Sequence, residues 1–142
     1  MIIEKMGYAG GLGGQAYRCI LPPSARINEV HVFANQYVEA VQIFYSDEEG
    51  NIAALPKIGG GGGKRHILRL DGDEHITAIS GENGWYVDCL RFHTNKRVSQ
   101  TYGGDGGFDE YRIDIPAGMK MVGLYGKSDW YVDALGLLIS EV

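Results

Sequence analysis

Alternation of apolar and polar positions recurs three times along the chain. Val41 and Ile43 flank Gln42, Leu90 and Phe92 flank Arg91, and Leu135 and Leu137 flank Gly136. A period of two turns one face of a strand into a core and the other toward solvent. Each run follows a second related segment. Residues 27–35 (INEVHVFAN) align without gaps with residues 76–84 (ITAISGENG) and 121–129 (MVGLYGKSD). The pattern predicts strand, tight turn, strand in each case. The intervening chain reads as short strands and turns, punctuated by Pro22-Pro23, Pro56 and Pro116-Ala117-Gly118. No stretch carries helical periodicity.

Glycine changes the picture from three hairpins to three repeats. The chain holds 22 glycines against four prolines, without collagen-like periodicity, so the glycines serve local backbone geometry. They cluster as GGxGG in Gly10-Gly11-Leu12-Gly13-Gly14, in residues 59–63 and in Gly103-Gly104-Asp105-Gly106-Gly107. A second motif also occurs three times: Asn35-Gln36-Tyr37-Val38-Glu39, Gly84-Trp85-Tyr86-Val87-Asp88 and Asp129-Trp130-Tyr131-Val132-Asp133. From the first glycine of each loop to the next such tyrosine is 27, 27 and 28 residues. Two independent motifs at one offset define a triplicated unit with a period of 44 to 49 residues. One unit of about four short strands cannot bury its apolar face alone, whereas three around a common axis can. Propellers usually need at least four blades. A three-sheet prism, all-β and formed by one domain over residues 1–142, is therefore expected.

Charge and composition narrow the partners. A net charge of −5 gives no electrostatic footprint for nucleic acid and none for an anionic membrane surface. No apolar run approaches the roughly 20 residues that span a bilayer, so no membrane insertion is expected. The start of the chain lacks the basic and apolar regions of a signal peptide, which makes the cytoplasm the default compartment and leaves unconventional export open. Cys19 and Cys89 lie 70 positions apart, which is not a metal spacing, and no disulfide is expected. His31, His66, His75 and His93 show no ligand spacing either. Neither a metal nor another cofactor is expected.

The two repeated motifs suit sugar chemistry. An ionised carboxylate accepts hydrogen bonds from two vicinal hydroxyls at once, and such charge-assisted bonds are the stronger kind. Backbone N–H groups of a glycine loop approach a ligand closely because no Cβ intervenes. Other chemistry fits less well. Residues 59–65 mimic a phosphate loop, but Ile58 stands where that motif needs glycine, Arg65 where it needs Ser or Thr, and no helix follows. Asp129 and Asp133 share one short turn and cannot flank a glycosidic bond as a glycosidase pair. The chain is read as a non-enzyme. Taken singly, glycine loops are most often turn chemistry, and Asp88 and Asp133 serve as well for turn caps. Tyr37, Tyr86 and Tyr131 recur in phase, which fits packing first.

The run from Gly123 to Gly136 (GLYGKSDWYVDALG) resembles the C-terminal signature of the jacalin-related lectins. Leu90-Arg91-Phe92-His93-Thr94-Asn95 followed by Tyr102-Gly103-Gly104-Asp105-Gly106-Gly107 does so too. The resemblance covers essentially the whole chain. It implies the β-prism I fold: three four-stranded antiparallel sheets about a pseudo-threefold axis. It also implies sugar binding without catalysis. Members that bind galactose through a freed glycine amino terminus are cut just before the first glycine loop. Here nine residues precede Gly10, so the resemblance favours mannose- or glucose-type sugars, as mono- and oligosaccharides or on glycoproteins.

Carried over residue by residue, the resemblance pairs each acid with a glycine loop. Asp133 would face the Gly10 to Gly14 loop, beginning with Gly10 and Gly11, with the N–H groups of Trp130 and Tyr131 assisting. Asp88 would face the Gly103 to Gly107 loop, beginning with Gly103 and Gly104, with Trp85 and Tyr86. Glu39 would face the Gly59 to Gly63 loop, beginning with Gly59 and Gly60, with Gln36 and Tyr37. Only Gly84 through Asp88 keeps the full GxxxD. Asp129 replaces the motif's glycine in the third repeat and sets a second charge beside Asp133. Asn35 and Glu39 alter both ends in the first, and Glu39 is one methylene too long for the usual bidentate geometry. The expected ranking is Asp88, then Asp133, then Glu39. The alternative is a prism that serves protein interaction or assembly, its sugar sites partly decayed. A homodimer fits either reading.

Overall fold

A computed structural model describes residues 2–142. Three antiparallel sheets account for all the strands. The first contains β1 (Glu4–Gly10), β2 (Gln15–Ile20), β12 (Met119–Ser128) and β13 (Val132–Glu141), in the order β1-β13-β12-β2. The second contains β8 (Ile76–Asn83), β9 (Val87–Thr94), β10 (Tyr102–Gly103) and β11 (Asp109–Asp114), in the order β10-β9-β8-β11. The third contains β3 (Arg26–Ala34), β4 (Val38–Ser46), β5 (Ile52–Ala54), β6 (Ile58–Gly59) and β7 (Lys64–Arg69). Its order is β5-β4-β3-β7, and β6 also pairs with β4. β5 and β6 are thus one outer strand interrupted around Pro56, which has no N–H to give to the ladder. Three four-stranded sheets result, as the repeats predict.

The repetition reaches the irregularities of the strands. Each central hairpin bulges at its start, at Asn28, Thr77 and Val122, where the register slips by one residue. The carbonyls of these three residues accept the N–H groups of Leu70, Ile115 and Leu21 respectively, at 2.8–2.9 Å. A bulge thus re-aims a backbone acceptor toward the strand that follows a glycine loop. Each hairpin bulges again next to its tight turn, at Phe33/Ala34, Glu82/Asn83 and Lys127/Ser128.

The inner faces of all three sheets feed one cluster. Val41 and Ile43, Leu90 and Phe92, and Leu135 and Leu137 are all buried in it, so the threefold alternation of the sequence marks the core face. Cys19 and Cys89 are buried and unbridged. Among the described residues, no helix is long and apolar enough to cross a membrane.

Candidate functional site

Each glycine loop joins the two outer strands of one sheet and passes over the end of that sheet's central hairpin. The loop at residues 10–14 links β1 to β2 and crosses the turn between β12 and β13. The first glycine of each loop makes this crossing sterically feasible. Gly10, Gly59 and Gly103 have φ of 114°, 102° and 113°, and a Cβ on any of them would collide with the carbonyl oxygen of Asp133, Glu39 or Asp88. Those same carbonyls then accept the N–H of the second glycine, with Gly11, Gly60 and Gly104 donating at 2.9, 2.9 and 3.0 Å. Every predicted acid–loop pair is therefore brought together by the backbone.

The carboxylates lie under the second glycine pair of their loops. A Cβ on Gly13 would sit 3.2 Å from Asp133 Oδ2, and one on Gly106 would sit 3.8 Å from Asp88 Oδ2. On Gly62 it would lie 2.5 Å from Glu39 Oε1. Glu39 thus reaches the loop despite its extra methylene. Its other oxygen is occupied, since Asn35 Nδ2 donates to Glu39 Oε2 at 3.1 Å. Asp88 and Asp133 are buried, at 5% and 6% exposure, and Asp133 Oδ1 has no hydrogen-bond partner. Burial pushes both carboxyls above the ordinary aspartate value, with Glu82 adding repulsion at Asp88 and Asp129 at Asp133. Both carboxyls are desolvated, and Asp133 is also under-satisfied, a costly state unless a donor arrives from outside.

The tight turns divide their side chains between two tasks. Tyr37, Tyr86 and Tyr131 meet one another, with ring centroids 5.1–5.3 Å apart in all three pairings. Their rings meet between the three tight turns, closing this end of the prism. Trp85 and Trp130 point outward, 76% and 83% exposed, and Gln36 takes their place in the first repeat. The second glycine of each loop also packs on the turn of a neighbouring sheet. Gly11, Gly60 and Gly104 lie against the carbonyls of Trp85, Trp130 and Gln36. One cavity of ≈580 Å³ runs from Glu39, Gly61 and Gly62 to Asp129, Trp130 and Asp133, spanning two neighbouring sites.

Sequence reading missed four residues around these sites. Tyr17 Oη donates to the Ala134 carbonyl at 2.9 Å, and Tyr111 Oη to the Cys89 carbonyl at 2.8 Å. Each fixes the backbone one residue beyond a site aspartate. The rings fit because their cross-strand partners are Gly126 and Gly81. In the first repeat the corresponding pair is His66 and Val32, and that tie is missing. The signal was a glycine and a tyrosine occurring together in two repeats of three. Phe108 lies over Gly84, and both Phe108 and Leu12 are exposed beside glycine loops. Nothing in the repeat pattern distinguishes them. Among the described residues, no group of three or more His, Cys, Asp or Glu is placed to hold a metal.

The model of the jacalin-like lectin domain matches residues 6–138. The chain belongs to this family. It is a carbohydrate-binding lectin, of a kind that holds sugar without transforming it. Horcolin of Hordeum vulgare is 31% identical over 143 residues, covering 96% of each protein. A mannose-binding jacalin-related lectin from Ananas comosus superposes with a TM-score of 0.84 at 25% identity, over 99% of each chain. The Calystegia sepium lectin Calsepa, solved with a biantennary N-glycan, gives 0.83 at 25% identity, over 100% of this chain and 99% of that one.

Proposed function

We propose that this lectin, a single domain over residues 1–142, recognises mannose- or glucose-type residues at the apex formed by its glycine loops. Asp88 and Asp133 are the principal acceptors of vicinal hydroxyls, and Glu39 is a third, weaker one. Gly10 and Gly11, Gly59 and Gly60, and Gly103 and Gly104 shape the loops whose N–H groups face the sugar. The N–H groups of the turn residues Trp85, Tyr86, Trp130 and Tyr131 complete the donor set, and the two indoles offer faces for a sugar's C–H surface. The observation that carries this reading is the threefold apposition of a carboxylate and a glycine loop. The relative from Ananas comosus, named as mannose-binding, supports the choice of sugar. Two unbridged cysteines suit a reducing compartment such as the cytoplasm.

One pyranose held by a few hydrogen bonds binds at about the millimolar level, roughly −4 kcal/mol, and branched glycans gain by engaging several sites. Calorimetric titration with mannose, glucose, galactose and a branched mannan tests the reading. Mannose or glucose should bind and galactose should not. Asp88→Ala and Asp133→Ala should each lower the number of sites. Silence with every sugar, or unchanged stoichiometry in both variants, contradicts it.

A further inference from the structure

The far pole of the prism carries a second threefold feature. The gapless alignment of the repeats begins at Ile27, Ile76 and Met121, and the residue before each is basic: Arg26, His75 and Lys120. These positions lie at the starts of the central strands, whose other ends carry the tight turns of the apex. Strands of eight to ten residues separate the two poles by about 25–30 Å. All three basic residues line one cavity of ≈220 Å³, together with Ile27, Ile76 and Met121. The repeat that builds sugar sites at one pole therefore gathers a basic rim over an apolar floor at the other.

Among the described residues, no carboxylate pairs with Arg26 or Lys120 on this rim. Arg26 donates to Asn28 Oδ1 at 3.0 Å and to the Asp71 carbonyl, both neutral acceptors. Among the described residues, Lys120 and His75 enter no ion pair. Glu74 also lines the cavity, but its carboxylate is fully engaged. Arg97 holds it through Nε at 2.9 Å and Nη2 at 3.2 Å, Thr94 Oγ1 at 2.6 Å and the Asp71 N–H at 3.0 Å. Asp71 and Asp73 are taken by Lys96. Two grooves of ≈370 and ≈300 Å³ adjoin the cavity, and Lys120 lines both. Arg26 and Lys120, half-buried cations beside apolar surface and without carboxylate partners among the described residues, favour an incoming anion that carries an apolar body.

We propose that this basal cavity binds a small amphiphilic carboxylate. Its head accepts from Arg26, Lys120 and an imidazole N–H of His75, and its apolar body lies on Ile27, Ile76 and Met121. The site is independent of the apex, so it stands or falls separately from sugar recognition.

Octanoate is the probe, titrated calorimetrically into the full chain, with octanol and inorganic phosphate as the other arms. Saturable one-to-one binding of octanoate is expected, with octanol and phosphate each at least tenfold weaker. Lys120→Gln should weaken octanoate about tenfold, the worth of one charge-assisted hydrogen bond, while the thermal unfolding midpoint stays unchanged. Among the described residues, the Lys120 ammonium has no polar partner, so this variant tests the site even if Arg26→Gln disturbs the turn at Asp71. Absence of saturable octanoate binding overturns the proposal. So does equal binding by Lys120→Gln, or octanol or phosphate binding as tightly as octanoate.

Discussion

Asp133 shows what a buried carboxylate at the proposed sugar site costs a fold. It is buried, one of its oxygens has no partner, and Asp129 stands beside it. Burial first, and then Asp129, raise its carboxyl above the ordinary value of 3.8. A carboxyl whose folded pKa lies above its unfolded value destabilises the native state wherever it is ionised. That penalty is relieved as pH falls through the folded value. At neutral pH, Asp133→Asn should therefore raise the thermal midpoint by a few degrees while removing one sugar site, a pairing that calorimetry and a thermal scan would show together. On the proposed reading, sugar binding at Asp133 in the unmodified chain needs the ionised form. It should fail on acidification at a pH above 3.8, earlier than an ordinary aspartate would impose. The identity of the acids was legible because Asp88 and Asp133 recur in phase with Tyr86 and Tyr131. The charge of Asp129 beside Asp133 was legible as well. The desolvation of Asp88 and Asp133 was not, since it depends on glycine loops from distant parts of the chain closing over the turns.

At the scale of elements, the alternation of Val41 with Ile43 and its two copies was enough to place the central hairpins. The outer strands were harder to read. β10 has two residues and β5 three, too short for a period to be seen, and they exist because long hairpins offer them an edge. The turn leading into β8 depends on an ion pair between buried Glu74 and exposed Arg97 that no pattern announces. Glu74 is buried, and Arg97 holds its carboxyl down at about 2 against an ordinary 4.5. A depressed carboxyl contributes stability above its unfolded value and loses it as pH falls toward the folded one. Acid unfolding should accordingly steepen between about pH 4.5 and 2. Glu74→Gln should cost about 2 kcal/mol at neutral pH and flatten that limb, as denaturant titrations across this range would reveal.

Across the whole molecule, the three sheets are locked at the apex by a cycle. The loop of each sheet presses its second glycine on the turn of a neighbour, through Gly11 on Trp85, Gly60 on Trp130 and Gly104 on Gln36. Repeat spacing foretold threefold order but not this interlock, because contacts between sheets leave no periodic trace within any one of them. Gly60→Ala places a methyl group into the Trp130 carbonyl. It should lower stability by about 1–3 kcal/mol, the usual cost of overpacking, and weaken the Asp133 site as well as the Glu39 site, since the displaced turn belongs to the first and the loop to the second. Loss confined to one site in a calorimetric titration would disprove the coupling.

The two tryptophans are the only ones in the chain, and both stand on the apex in water, with none in the core. Their emission in the native state should already be that of solvated indole, so unfolding should change it little, whereas a sugar laid against either ring should change it directly. The molecule carries an optical reporter that is nearly blind to its own folding and sensitive to what it holds.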